Sequence, residues 1–134
     1  MTNVSKRPLP KNSFDSLFSD LAKAVAGLNQ GKQNQFWGGL LSESEKIMLT
    51  KRFAAVALLH KQCTYYRVAR TLDISNSTAR RIYQDYSCGN YDDVVLILKS
   101  KSFDNEKFWR TLEIILRGGM PSRGKDRWKT MRPQ

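Results

Sequence analysis

The chain has few of the residues that build metal centres or covalent crosslinks. It contains two cysteines, Cys63 and Cys88, and a single histidine, His60. Neither cysteine belongs to a CxxC pair, so the sequence predicts free thiols and no zinc site. No apolar run approaches the roughly 18 residues that a transmembrane helix needs, and the polar N-terminus lacks the apolar region of a signal peptide. We therefore expect no membrane span and a cytoplasmic location.

Catalytic signatures are also missing. The sequence contains no GxxxxGK[ST] loop, no GxSxG elbow and no HExxH helix, which are the patterns that position phosphates, nucleophiles and zinc ions. The glycines near the C-terminus follow no predicted strand and so form no phosphate-binding fingerprint. We predict that the protein is not an enzyme and carries no cofactor.

Positive charge, by contrast, is abundant and unevenly distributed. The formal net charge of the 134 residues is +11, and the isoelectric point of about 10.0 lies in the range typical of nucleic-acid-binding domains. Residues 1–12, 60–81 and 117–134 together hold 14 of the 23 basic residues and 2 of the 12 acidic ones. A surface charged only for solubility usually mixes both signs, so this pattern favours a polyanionic partner.

Apolar residues follow helical spacing along most of the chain, which predicts an all-α fold. The first amphipathic pattern starts after Ser13, a plausible N-cap, and consists of Phe14, Leu17, Phe18, Leu21, Val25 and Leu28. We expect a polar connector at residues 29–35 and an apolar, then flexible, junction at 36–39. Ser42 and Glu45 form an S-x-x-E capping box that starts a long helix reaching about His60. Because this helix is apolar on more than one face, we expect it to be buried, in this chain or against a partner.

The segment from Tyr65 to Tyr86 has the pattern of a helix-turn-helix. Thr64 and Ser75 are the expected N-caps of its two helices, and Asp73 lies at the turn, where glycine is common and Asp tolerates the left-handed conformation. Beyond it, Gly89 is expected to end the second helix. Residues 91–99 fit a helix or a buried strand, and the all-α context favours the helix. Asp104 is the expected cap of a final amphipathic helix.

These patterns predict three regions: a basic, disordered N-terminal arm at residues 1–12, a helical domain at 13–117 with the helix-turn-helix at 64–87, and a basic, flexible tail at 118–134. Val68, Ala69, Ala79 and Ile82 are expected to face inward. The second helix would then present its first turn to a DNA major groove.

Residue chemistry supports this DNA-binding hypothesis. Asn76 can pair bidentately with adenine and Arg80 can reach a guanine. Basic and aromatic residues of the preceding helix are suited to phosphate contacts, which position the protein without reading sequence. The predicted DNA-binding residues are Tyr66, Arg67, Arg70, Ser75, Asn76, Ser77, Thr78, Arg80 and Arg81.

The ordered set of motifs over roughly residues 40 to 98 resembles the Trp repressor family, in particular its functionally uncharacterised branch. The matching features are the start LLSESEK, Arg52 within the long helix, the segment TYYRVARTLDISNSTARR, and Gly89 followed by Tyr91. The resemblance implies a multi-helix, Trp-repressor-like helix-turn-helix domain in an intertwined homodimer that regulates transcription.

The resemblance does not extend to the corepressor pocket of the tryptophan-sensing repressors. Arg52 and Arg81 occupy the places of the two arginines that sandwich the corepressor there, but aligning both requires a one-residue slip. The neighbouring pocket residues do not match, and the Tyr65–Tyr66 pair replaces smaller polar residues. We therefore expect no tryptophan binding and no small-molecule effector; a structural ion pair is the alternative role for Arg52.

Two further functional hypotheses stay open. The protein could be an RNA-binding or ribosome-associated protein whose basic ends do most of the binding while the helices act as a scaffold. It could also be a protein-interaction module. The sequence favours the first hypothesis, a sequence-specific regulator that binds double-stranded DNA as a dimer.

Overall fold

The computed structural model describes residues 8–100, 103 and 105–118, and all regular structure in this part of the chain is α-helical. The helices are α1 (Lys11–Ala26), α2 (Gln30–Leu40), α3 (Glu43–His60), α4 (Tyr65–Leu72), α5 (Asn76–Ser87), α6 (Asp92–Lys99) and α7 (Asn105–Leu116). The predicted all-α class is confirmed for these residues. Most of the predicted arm at 1–12, almost all of the tail at 118–134, and Asp104 lie outside them.

The chain divides into two compact units, residues 1–49 and 50–134, and the boundary falls within α3. In the first unit, neither α1 nor α2 contains a buried residue. The apolar residues of α1 form a stripe that includes Phe14 and Phe18, whose rings stack at a centroid distance of 6.1 Å. Phe14, Leu17 and Phe18 are all more than half exposed. Among the described residues of its own unit, α1 therefore displays an apolar face.

Three expectations for the first unit are wrong. The first helix starts at Lys11 with Pro10 at the N-cap position rather than with Ser13 as its cap; proline's fixed φ, here −53°, suits a helix start. The expected connector at 29–35 and the expected flexible junction at 36–39 are instead the N-cap and the body of α2, which is helical from Gln30 to Leu40. The Asn29 side chain caps this helix by accepting a hydrogen bond of 2.9 Å from the backbone N–H of Lys32.

The predicted start of α3 is confirmed. The backbone N–H of Ser42 donates to Glu45 Oε1 at 2.8 Å, and the backbone N–H of Glu45 donates to Ser42 Oγ at 3.2 Å. This reciprocal capping box satisfies two backbone donors that a helix N-terminus leaves without intrahelical partners. Hydrogen bonding to the carboxyl of Glu45, first from the backbone N–H of Ser42 and then from its side chain, lowers the pKa of this carboxyl.

The core of the second unit is built around the C-terminal half of α3. Six consecutive residues, Ala54 to Leu59, are buried, and they pack with Val68, Leu72, Ile82, Leu98 and Leu112 from the later helices. The expected burial of α3 holds for this half, whereas Ile47 and Leu49 are half exposed. α7 is joined to the end of α3 by Lys61, whose Nζ lies 4.7 Å from the centroid of the Trp109 ring, a cation–π contact.

The segment after α5 also follows the predicted pattern. Gly89 has φ of +87°, a conformation that glycine adopts without the steric penalty of a Cβ. A Cβ at this position would lie 3.1 Å from Oδ2 of Asp92. The chain then enters α6, so the segment at 91–99 is helix rather than strand from Asp92 onward, and Leu98 is buried in the core.

Candidate nucleic-acid interface

The two helices of the predicted motif begin where the sequence placed their caps. Thr64 Oγ1 accepts a hydrogen bond of 3.2 Å from the N–H of Arg67, and Ser75 Oγ accepts one of 3.1 Å from the N–H of Thr78. A threonine or serine at this position satisfies a donor that the helix cannot pair internally. The starts of α4 and α5 are therefore set by local hydrogen bonds.

The turn between α4 and α5 depends on Asp73. Its backbone is left-handed, with φ 54° and ψ 56°, and its N–H donates to the carbonyl oxygen of Ala69. The N–H of Ile74 donates to the same carbonyl at 3.0 Å. Asp is one of the few residues with a side chain that tolerates this conformation. The predicted turn residue thus has the predicted conformation.

Burial determines which faces of the two helices point outward. Val68, Ala69 and Leu72 of α4 are buried, as are Ala79 and Ile82 of α5. α4 contacts α5 extensively and also contacts α7. With these small and branched residues in the core, the opposite face of α5 is presented to solvent.

An open groove of about 580 Å³ runs along that exposed face. Its walls come from the start of α4 and from one side of α5, and the lining residues are Tyr65, Tyr66, Asn76, Ser77, Arg80, Arg81 and Gln84. The α5 residues are spaced i, i+1, i+4, i+5 and i+8, which places them on one helical face. The groove therefore gathers amide, hydroxyl and guanidinium groups beside two aromatic rings.

Most of the predicted DNA-binding residues on α5 line this groove, together with Tyr66. Arg67 and Arg70 are exposed on α4 outside its lining. The remaining two, Ser75 and Thr78, are occupied with the helix cap, because their hydroxyl oxygens lie 2.8 Å apart in a hydrogen bond. Ser75 Oγ also lies 3.1 Å from Ser77 Oγ. Ser75 and Thr78 thus shape the start of α5, whereas Asn76 and Arg80 are presented to the groove.

Sequence reasoning did not include Tyr65 and Gln84 in the site. Gln84 lies two turns beyond Asn76 on the same face of α5, so its i+8 spacing was a usable signal. Tyr65 is half buried and stacks against Tyr66, with ring centroids 4.4 Å apart, and its ring lies 5.6 Å from that of Tyr83. No sequence spacing predicts the contact between Tyr65 and Tyr83, because Tyr83 belongs to the other helix.

Electrostatics at the groove keep the Tyr65 hydroxyl group neutral near physiological pH, because they raise its pKa. The hydrogen bond with Tyr66 is the largest influence on the pKa of Tyr65 and raises it, while the positive charge of Arg80 acts in the opposite direction. Because the net direction is upward from an ordinary value near 10, Tyr65 stays a phenol. The formal charge of the groove lining therefore comes from Arg80 and Arg81.

The two candidate corepressor arginines are not brought together in this groove. Arg81 lines it, whereas Arg52 does not. Arg52 is exposed on α3 and influences Tyr91, whose pKa is raised by burial and lowered to a smaller extent by this guanidinium. The groove thus lacks one of the two cations that the resemblance would require around a corepressor.

The described residues contain no cluster of three or more His, Cys, Asp or Glu side chains that could hold a metal ion. Within the same part of the chain, every helix is too short or too polar to cross a membrane. Comparison of the chain with protein-family models, curated proteins and solved structures found no match.

Proposed function

We propose that this protein binds double-stranded DNA sequence-specifically through α5 and acts as a non-enzymatic, cytoplasmic transcription regulator. The observation that carries the proposal is the capped α4–turn–α5 unit, which presents Asn76, Ser77 and Arg80 side by side in an open groove outside the core. These side chains lie in the first turns of α5. In helix-turn-helix proteins, the N-terminal residues of the second helix contact base edges.

The chemistry of the groove suits base edges in the major groove. An asparagine amide can bond adenine at N6 and N7, and an arginine can bond guanine at O6 and N7. The major groove of B-DNA, about 12 Å wide, admits an α-helix. Because Ala79 and Ile82 anchor α5 in the core, the reading face is held rigidly, and this reduces the entropy lost on binding.

Phosphate contacts would come from the exposed cations around the groove. Arg67 and Arg70 lie on the solvent side of α4, and Arg81 lines the groove together with Asn76 and Arg80. Contacts of this kind fix register and orientation on the duplex and make affinity depend on salt.

The proposal includes a Trp-repressor-like, intertwined homodimer. The exposed apolar stripe of α1 supports this part, because among the described residues α1 and α2 bury none of their side chains. Short helices without tertiary packing are marginal in water, and most soluble oligomers are symmetric dimers of one chain. A second copy would cover the stripe and supply a second α5.

Selection of bound sequences from a random duplex pool, with single-stranded RNA as competitor, tests the proposal. We expect a palindromic consensus, since half-site spacing reflects the two-fold symmetry of a dimer. The triple variant Asn76→Ala, Ser77→Ala and Arg80→Ala should lose the specific binding and retain the nonspecific binding. Arg110→Ala is the matched control: it removes one exposed cation from α7, where Arg110 pairs with Glu106.

The RNA-binding alternative predicts a different result. The basic ends would then carry the affinity, so deletion of residues 119–134 would remove all binding and the triple variant would bind like the wild type. That combination of results would refute the DNA-binding proposal.

A further inference from the structure

The Tyr66 ring is exposed yet held in place. It is 60 % exposed, and it stacks on Tyr65 with a centroid distance of 4.4 Å and an interplanar angle of 27°. Tyr65 packs in turn against the core and lies 5.6 Å from Tyr83. A ring fixed in this way loses little conformational freedom when it contacts a ligand.

This ring lines the same groove as Asn76 and Arg80. The groove therefore combines an apolar wall with an amide and a guanidinium. The edges of the base pairs in the major groove carry hydrogen-bond donors and acceptors, and the apolar group among them is the 5-methyl group of thymine. Adjacent bases of one strand are about 3.4 Å apart along the axis. A thymine methyl next to a purine would thus match an aromatic wall next to Asn76 or Arg80.

We propose that Tyr66 reads the 5-methyl group of a thymine adjacent to a purine contacted by Asn76 or Arg80. The inference rests on the proposed function and adds the identity of one base in the site. It also gives the groove a means to distinguish DNA from RNA, because uracil has no 5-methyl group. The deep, narrow major groove of A-form RNA would in addition exclude α5.

The test uses the wild-type protein and the duplex obtained by selection, with each thymine replaced in turn by uracil. This exchange removes one methyl group and leaves every hydrogen-bonding group of the base unchanged. We expect one position in each half-site at which the exchange weakens binding about fourfold, the factor that corresponds to losing one buried methyl-sized group. If the exchange weakens binding at none of the positions, the inference is overturned. This comparison requires no protein variant.

Two variants then assign the effect to the ring. Tyr66→Ser should bind the thymine and uracil duplexes equally, whereas Tyr66→Phe should keep the preference for thymine. If Tyr66→Ser still binds the thymine duplex more tightly than the uracil duplex, the methyl group contacts another residue and its assignment to Tyr66 is overturned. If Tyr66→Phe loses the preference as completely as Tyr66→Ser does, the hydroxyl group, and so a polar contact such as one to phosphate, is responsible and the inference fails.

The outcomes separate this inference from the proposed function. If no duplex sequence is selected, both fail together. If a consensus emerges and the triple variant loses it, but no thymine-to-uracil exchange matters, the DNA-binding function stands and the role of Tyr66 is refuted.

Discussion

Lys51 of α3 donates a hydrogen bond of 3.1 Å from its ammonium group to the backbone carbonyl oxygen of Asp73, which lies 22 residues further along the chain. Asp73 is the left-handed residue at the turn between α4 and α5. The bond therefore ties the turn that orients the candidate reading helix to the long helix that supports the core. It gives a lysine in a basic protein a structural role distinct from phosphate binding.

Lys51→Met should weaken specific DNA binding without changing its dependence on salt. Loss of the bond to Asp73 should cost about 1 kcal/mol. If this whole cost disfavours the orientation of α5 that binds DNA, the affinity should fall roughly fivefold. Binding curves at several salt concentrations measure both quantities. Lys46→Met, which removes an exposed lysine paired with Glu43, is the control. A salt slope reduced by about 1 in Lys51→Met would instead identify Lys51 as a phosphate contact.

Ser75→Ala should destabilise the protein by about 1 kcal/mol, the usual cost of losing an N-cap side chain. The hydroxyl group of Ser75 accepts from the N–H of Thr78 and also bonds the Thr78 hydroxyl group. Urea denaturation monitored by circular dichroism measures the change. Ser75→Asp should preserve most of the stability because its carboxylate can also cap α5, and Ser87→Ala, at an exposed position at the end of the same helix, should have little effect. Equal losses in Ser75→Ala and Ser75→Asp would contradict a capping role.

Leu58→Ala should be the most destabilising of these changes. Leu58 is fully buried at the centre of the second unit's core, and truncation of such a residue typically costs about 2–5 kcal/mol because the cavity does not close completely. Leu96→Ala removes the same atoms from a side chain that is 63 % exposed and should change stability by less than about 0.5 kcal/mol. Similar losses in the two variants would show that Leu96 is covered in solution, for example by another chain.

The single histidine should make stability depend on pH in mildly acidic solution. Burial lowers the pKa of His60, and the positive charges of Lys99 and Lys61 lower it further. The unfolded chain, with a His60 pKa near 6.5, then binds the proton before the folded chain does. The contribution of His60 to stability is therefore complete above pH 6.5 and is lost as the pH falls through its lower folded-state pKa. Between pH 7.5 and 5.5, the melting temperature of the wild type should fall more steeply with falling pH than that of His60→Gln. Parallel curves for the two proteins would exclude this coupling.

Charges placed on the apolar stripe of α1 should convert the proposed dimer to monomers. In Leu17→Glu with Phe18→Glu, two carboxylates replace side chains that are more than half exposed in the single chain but would be buried against the partner. Analytical ultracentrifugation should report a halved mass. Lys23→Glu changes the charge of the same helix on the face opposite the stripe and should leave the mass unchanged. A wild-type protein that sediments as a monomer would refute the dimer directly.

The features predicted correctly from the sequence are those that depend on neighbouring residues. The caps at Ser42, Thr64 and Ser75 and the left-handed Asp73 all involve bonds that span only a few residues, so the identity and spacing of the side chains suffice to predict them. α2 was missed although Asn29 caps it, because its interior contains Gly38 and Gly39 and each glycine disfavours a helix by about 1 kcal/mol. Part of the compensation is a side-chain contact, since Gln33 Nε2 donates to the carbonyl oxygen of Leu28 at 2.9 Å.

The sequence by itself determined an all-helical chain with concentrated positive charge and a capped helix-turn-helix pattern, because helical periodicity and capping act between residues three or four apart. Only the tertiary structure decided that the Tyr65 ring lies against that of Tyr83, that Lys51 bonds the turn at Asp73, and that Arg52 lies outside the groove that Arg81 lines. These relationships join different helices. They depend on how the buried faces pack together, and a single sequence does not specify that packing through its local patterns.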